Sequence, residues 1–286
     1  MQNTSQLKKF SSTQIDAYLK RIGYSGDCSV SKKTLDDLIW HHQLYIAFET
    51  LDCHDLNKEI SLDPDAMFDK IVNRHRGGHC IETNSNFCRL LNSLGFDARP
   101  CLARVLFGNG EFTHPFDHRP NLISLDGHTY FCDVGIGGPM PSAAMDIDIS
   151  GWQNLRADSY AIQPARAQGW YDLLRQTNTF RQNPDAPDAV SLEMIFSAIH
   201  CYESDFVFLN YYMTHHPEAL HKSTRIVNIR TADGFRMIWN DTYKETRNGE
   251  LVIEQSVEGN LEQLLMEKFA IDLSDDPAWI SHRDRI

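Results

Sequence analysis

Residues 76–95 read Arg-Gly-Gly-His-Cys-Ile-Glu-Thr-Asn-Ser-Asn-Phe-Cys-Arg-Leu-Leu-Asn-Ser-Leu-Gly. The stretch holds a break and then a helix. Gly77 and Gly78 let the backbone turn tightly and approach a bound group closely. Beyond them Phe87, Leu90, Leu91 and Leu94 stand at i, i+3, i+4 and i+7, the spacing of one apolar helix face, and Gly95 stops it. Cys80 therefore falls at the start of that helix. A thiol there sits near the positive end of the macrodipole and near backbone N–H groups the helix leaves unpaired. Both favour a thiolate, and the N–H groups can hold an oxyanion during acyl transfer. A free cysteine is more often a small inert core residue than a nucleophile. The glycines and the helix start set Cys80 apart from the other six, Cys28, Cys53, Cys88, Cys101, Cys132 and Cys201.

Upstream of the break the chain reads as helix. Ser11-Ser12-Thr13 caps a segment with Ile15, Tyr18 and Leu19 on one side, Ser31–Ala47 carries Leu35, Leu38, Ile39 and Leu44 at roughly helical spacing, and Asp63-Pro64 opens a third helix through Met67, Phe68 and Ile71. From about residue 96 the texture turns to strand, in Arg99–Phe107, Arg119–Leu125 and His128–Val134. Residues 136–190, punctuated by Pro and Gly, give no clear assignment. After Pro217, Thr224–Arg230, Phe235–Trp239 and Leu251–Val257 read as strands around Gly-containing turns, and Leu261–Phe269 as a closing helix. The expected order is helices (1–95), a β-rich middle (96–205) and an α+β end (206–286).

Asp126-Gly127 between two apolar runs is a strong signal for a two-residue hairpin. In that register Leu125 faces His128 and Pro120 faces Asp133. His118, two residues before Pro120, lies on the same face. His118 and Asp133 become diagonal neighbours, about 7–8 Å apart at the backbone and within reach of long side chains. A carboxylate can then take a proton from one imidazole nitrogen while the other takes the proton of a thiol. Any one of the 13 histidines is a poor choice by itself; the shared face singles out this one.

The 286 residues are 42% hydrophobic and 23% charged, with a net charge of −12. The composition is that of a globular chain, and its acidity argues against general nucleic-acid or anionic-membrane binding. No run of about 18 apolar residues offers a transmembrane helix, and no apolar signal segment opens the chain. Seven loosely spaced cysteines without a CxxC argue against a disulfide scaffold and fit a reducing, cytoplasmic compartment. No metal is expected: His114 and His118 form an HxxxH, but Pro115 between them disfavours one shared helix face.

The stretch Arg76-Gly77-Gly78-His79-Cys80 resembles the catalytic-cysteine signature of the arylamine N-acetyltransferase family. Ala47-Phe48-Glu49-Thr50-Leu51-Asp52, Phe68-Asp69-Lys70-Ile71-Val72, Asp133-Val134-Gly135-Ile136-Gly137-Gly138 and Glu267–Leu273 are similar to further family segments. The spacings, 38 residues from Cys80 to His118 and 15 on to Asp133, fit the family triad. The resemblance implies a helical bundle, a β-barrel and an α/β lid around a cysteine-protease-like core. It implies Cys80 as nucleophile, His118 as base and Asp133 as orienter, with acetyl-CoA as co-substrate and an arylamine, arylhydrazine or hydroxylamine as acceptor. By position it offers Gly137, Gly138 and Tyr212 for coenzyme A. It also implies a buried Arg76–Glu49 ion pair with a structural role. Ile136 stands where the family commonly carries an aromatic residue beside the acceptor pocket.

Other readings stay open at this stage. Relatives of the family close macrolactams by amide formation, the order Cys, His, Asp also occurs in transglutaminase-like and papain-like hydrolases, and a binding protein could retain the scaffold. The oligomeric state and the physiological acceptor are open too.

Overall fold

The structure, a computed structural model, describes residues 8–106, 115–156, 159–165, 167–176 and 190–283. Its first third is helical, and the helices start where the sequence offers caps. Helix α1 (Ser12–Arg21) opens on Ser11, whose side chain accepts from the Gln14 N–H while Gln14 reaches back to the Ser11 N–H. Helix α2 (Lys32–Tyr45) is capped by Ser31. The short β1 (Phe48–Glu49) and α3 (Leu51–His54) follow. Asp63 caps α4 (Pro64–Phe68), which runs on through one π turn, Asp69–Asn73. Helix α5 (Cys80–Leu94) begins at the cysteine and ends at Gly95 with φ 103°. These helices bury Tyr18, Leu35, Leu38, Phe87 and Leu91 in one core. Each apolar side chain so buried contributes roughly 1.5–3 kcal/mol. Together they fix α5, and with it Cys80.

The middle is all strand among its described residues: β2 (Asp97–Pro100), β3 (Ala103–Val105), β4 (Asn121–Leu125), β5 (His128–Cys132), β6 (Met145–Asp146), β7 (Trp152–Asn154), β8 (Ser159–Pro164), β9 (Trp170–Gln176) and β10 (Val190–Ser197). The run expected as one strand over Arg99–Phe107 is split. Cys101 and Leu102 carry the chain from β2 in one sheet to β3 in the other, and Phe107 lies outside the described residues. The stretch without assignment, 136–190, supplies β6 to β9 and the first residue of β10.

The expected β-barrel is corrected here. The strands form two antiparallel sheets, ordered β2-β4-β5-β6 and β3-β10-β9-β8-β7, and neither closes on itself among the described residues. The two sheets bury one face each against a shared core. Leu122, Phe131 and Met145 from the first meet Tyr160, Ile162 and Phe196 from the second, with the Phe131 and Phe196 rings 4.5 Å apart. Face-to-face packing satisfies both apolar faces without barrel closure.

The last third holds a 3-10 turn (Glu203–Phe206), α6 (Val207–His215), α7 (Leu220–Ser223), strands β11 (Ile226–Arg230), β12 (Gly234–Trp239), β13 (Thr242–Arg247) and β14 (Glu250–Ser256), and helices α8 (Leu261–Phe269) and α9 (Pro277–Arg283). The sheet order is β1-β11-β12-β13-β14, so the N-terminal segment supplies an edge strand, pairing Phe48 with Asn228. Helix α8 covers this sheet with Leu264, Leu265 and Phe269 against Val227, Ile229 and Ile238. Strand β13 reads TYKETR, too polar to announce itself by apolar alternation. No helix among the described residues is long and apolar enough to cross a membrane.

Candidate active site

Cys80 is the first residue of α5, and its helix start is doubly held. His79 Nδ1 accepts from the Ile81 N–H at 3.1 Å, and the Glu82 carboxylate accepts from the His79 N–H at 3.1 Å. The hairpin turns at Asp126 and Gly127 with φ 52° and 82°, the left-handed pair of a type I′ turn. Its register runs from Leu125↔His128 to Asn121↔Cys132, as the turn residues dictate. Asp133 follows β5 directly. His118 precedes β4 and is pinned by a backbone bridge to Ala103.

The three side chains meet. His118 Nε2 lies 2.5 Å from Asp133 Oδ2, and the same ring hydrogen-bonds the Cys80 side chain. Cys80 Sγ also lies 3.7 Å from the Asp117 carbonyl. All three residues are buried. Asp133 Oδ1 accepts from Asn84 Nδ2 at 2.9 Å and from the Gly135 N–H at 2.8 Å. Asn84 Oδ1 in turn accepts from the Val134 N–H at 3.0 Å. Gly135 is required by space: a Cβ there would stand 2.4 Å from Asn84 Nδ2 and 2.9 Å from Cys80 Cα.

The electrostatics separate His118 from its neighbours. Burial alone would lower its pKa, but the Asp133 carboxylate, its hydrogen bond and Cys80 hold it well above the ordinary imidazole value of 6.5. Asp133 shows the reciprocal effect. Burial would raise it, yet His118, Asn84 and the Gly135 N–H hold it below 3.8. His79 is pushed down to about 3 by burial and then by Lys70. His221 falls well below 6.5 through burial, His79 and His118. Of these three buried histidines, His118 is the one that bears a carboxylate. A cationic imidazole so oriented is the partner a thiolate nucleophile needs.

Cys80 and His118 border a cavity of about 300 Å³, shared with Ile136, Tyr212, His221 and Trp239. Tyr212 thus lines the cavity, whereas Gly137 and Gly138 are not among its described lining residues. Gly137, at φ 69°, sits where a Cβ would come within 2.6 Å of the Asn228 carbonyl, so packing against β11 accounts for a glycine there. His114 lies outside the described residues.

The Arg76–Glu49 pair is one part of a larger buried cluster. Arg76 Nη2 lies 2.7 Å from Glu49 Oε1 and 2.9 Å from Asp52 Oδ1. Lys70 Nζ lies 2.8 Å from Asp52 Oδ2 and 2.9 Å from Glu82 Oε1. Asp276, before α9, reaches Arg76 Nη1 at 3.4 Å. Glu82 is also the residue that caps α5, so the cluster ties the start of the cysteine helix to two distant chain segments. The residues that sequence reasoning missed are Asn84, His221 and Asn228. Asn84 was within reach, because it lies four residues after Cys80 on the same helix face.

Iodoacetamide is expected to label Cys80 well before the other six cysteines near neutral pH. Burial pushes Cys53 up to about 12 and Cys88 up to about 11, and carries Cys101 and Cys132 well above the usual thiol value. Burial raises Cys28 and Cys201 as well, with nearby aspartates adding to it. Peptide mapping of a time course checks this, and equal labelling across all seven would contradict it.

A thiol and an imidazole at one cavity wall, with a buried carboxylate behind the imidazole, are the groups that cysteine-dependent acyl transfer uses, a chemistry that transferases and hydrolases share. A family model described as N-acetyltransferase matches residues 32–278. The arylamine N-acetyltransferase of Escherichia coli K12 is 28% identical over 264 residues, covering 91% of this chain and 90% of that one. The solved arylamine N-acetyltransferase of Salmonella typhimurium has a similar fold, with a TM-score of 0.85, 23% identity, and coverage of 97% of this chain and 100% of that one. The Mycobacterium marinum arylamine N-acetyltransferase, solved in complex with CoA, gives a TM-score of 0.82 at 23% identity, covering 91% and 94%. The chain belongs to the arylamine N-acetyltransferase family and is an acyltransferase.

Proposed function

We propose that this protein transfers the acetyl group of acetyl-CoA to an arylamine, arylhydrazine or hydroxylamine through a thioester on Cys80. The observation that carries the reading is the unbroken run of contacts from Cys80 through His118 to Asp133 at the cavity wall. Cys80 Sγ attacks the thioester carbonyl, the bond from acetyl carbon to the coenzyme sulfur breaks, and His118 delivers a proton to the departing thiolate. The amine then attacks the acetyl-Cys80 carbonyl. His118 takes a proton from the attacking nitrogen, the C–S bond breaks, and the N-acetyl product leaves Cys80 as it began. The exchange of one thioester for another costs little, so the barrier falls on positioning and charge. The start of α5 offers the Cys80 N–H and the positive dipole end to the oxyanion in both halves, the next N–H groups being held by His79.

Coenzyme A suits the site through its reactive arm: the cavity, about 300 Å³, is largely apolar and is lined by Cys80. Tyr212 on its wall, with Gly137 and Gly138 at the neighbouring turn, are the proposed contacts. Seven unpaired cysteines suit a reducing, cytoplasmic setting. The test is turnover. Free thiol released from acetyl-CoA is expected to rise in proportion to added 4-methoxyaniline or isoniazid, with the N-acetyl product in equal amount. Thiol release with no acetylated amine would mean hydrolysis instead.

A further inference from the structure

His221 and Asn228 both line the cavity that holds Cys80, and neither side chain is used by the chemistry above. His221 Nδ1 and Asn228 Oδ1 are buried and have no hydrogen-bond partner among the described residues. Buried polar atoms left unpaired are costly, so most are satisfied in native proteins. Packing does not explain the choice at 221. The ring lies against Phe48 at 5.5 Å and against His79 at 5.4 Å, where a phenylalanine would fill the same space without an orphaned nitrogen. Asn228 sits on β11 between the core residues Val227 and Ile229 and opposite Phe48. Both residues line the cavity, and the His221 ring lies beside His79, the residue before Cys80. The charges on the wall matter as well. Asp117 and Glu218 line it, the cationic ring of His118 on the same wall is already paired with Asp133, and no lysine or arginine lines it among the described residues.

We infer that His221 and Asn228 are specificity residues that select an acceptor carrying an uncharged hydrogen-bonding substituent, such as a hydroxyl or carboxamide, over a carboxylated one. The inference rests on the acetyl-transfer reading and names the acceptor class for that site. A hydroxyl or amide supplies the donors and acceptors that the two side chains lack. Burial keeps His221 neutral, so it offers a carboxylate no countercharge, and the two acidic residues on the wall repel one. A site built to pair a polar group also discriminates strongly against an analogue that leaves its groups unpaired.

The test uses the full chain, saturating acetyl-CoA and two pairs of para-substituted amines. One pair is 4-aminophenol against 4-methoxyaniline; the other is 4-aminobenzamide against 4-aminobenzoate. The first member of each pair is expected to have about a tenfold or greater advantage in kcat/KM, the scale of one hydrogen bond lost from a buried partner. His221→Phe is expected to bring the 4-aminophenol to 4-methoxyaniline ratio close to one, and Asn228→Leu to lower it in the same direction. Equal or better use of 4-aminobenzoate, or variants that slow both members of a pair alike, would overturn the inference. Acetylation of Cys80 by acetyl-CoA alone separates the two levels. If it occurs while the acceptor ratios fail, only the acceptor inference falls; if it does not occur, the underlying reading falls with it.

Discussion

Asp133→Asn is expected to lower turnover by roughly 10³–10⁴-fold while leaving the fold in place. An asparagine fits the space and can still accept from Asn84 and from the Gly135 N–H. What changes is the face toward His118. The carboxylate accepts from His118 Nε2, which leaves the other ring nitrogen to exchange a proton with Cys80. An amide that donates to Nε2 forces the proton onto the opposite nitrogen, where it points at the thiol and cannot receive another. The charge that holds the ring cationic disappears as well. Steady-state thiol release, with circular dichroism as the control for folding, checks the loss.

The same substitution has a pH signature in stability. The folded pKa of Asp133 is depressed, so its contribution is present above the ordinary carboxylate value of 3.8 and is lost as pH falls through the lowered one. The folded pKa of His118 is raised, so its contribution is complete below 6.5 and is lost as pH rises through the raised value. The deficit of Asp133→Asn relative to the parent is therefore expected to be greatest from about pH 4 to pH 6.5 and to shrink on either side. A set of denaturant midpoints across pH measures it.

Arg76→Met is expected to cost about 3–5 kcal/mol of stability, a large share of the roughly 5–15 kcal/mol that holds a native protein together. The reason is not the value of the pairs themselves, since buried pairs repay little beyond their desolvation. The reason is what the substitution leaves behind. Glu49 and Asp52 would remain buried, with Lys70 as their nearest cation. The loss should also reach the site, because Lys70 holds Glu82 and Glu82 holds the N-terminus of the cysteine helix. Urea midpoints with an unchanged slope are the expected readout. A shift under 1 kcal/mol would show that the cluster is dispensable.

Much of this architecture was legible because it is local. Ser11, Ser31, Asp63 and Gly95 mark helix ends by side-chain hydrogen bonds or a left-handed backbone, and all four mark them in the structure. Asp126-Gly127 set the hairpin register, and that register alone placed His118 and Asp133 on one face. The rest depends on long-range contacts. The two-residue shift at Cys101 and Leu102 sends one apolar run into two sheets, and no local pattern announces it. Strands β6 to β9 are short or polar at their ends, and β13 buries a glutamate, Glu245, beside Tyr243. The ion cluster draws its members from positions 49, 52, 70, 76, 82 and 276, of which sequence reading joined only two. His221 and Asn228 lie far from the cysteine in the chain; the pairing of β11 with β1 brings Asn228 to the cavity, and ring contacts with Phe48 and His79 hold His221 there.

The most direct test is the mass of the intact protein after mixing with acetyl-CoA and no acceptor. One added acetyl group per chain is expected, mapped to the peptide that begins α5 at Cys80, lost on addition of an arylamine and never formed by Cys80→Ala. An unchanged mass while acetyl-CoA persists, or an acetyl group that survives Cys80→Ala, would contradict it.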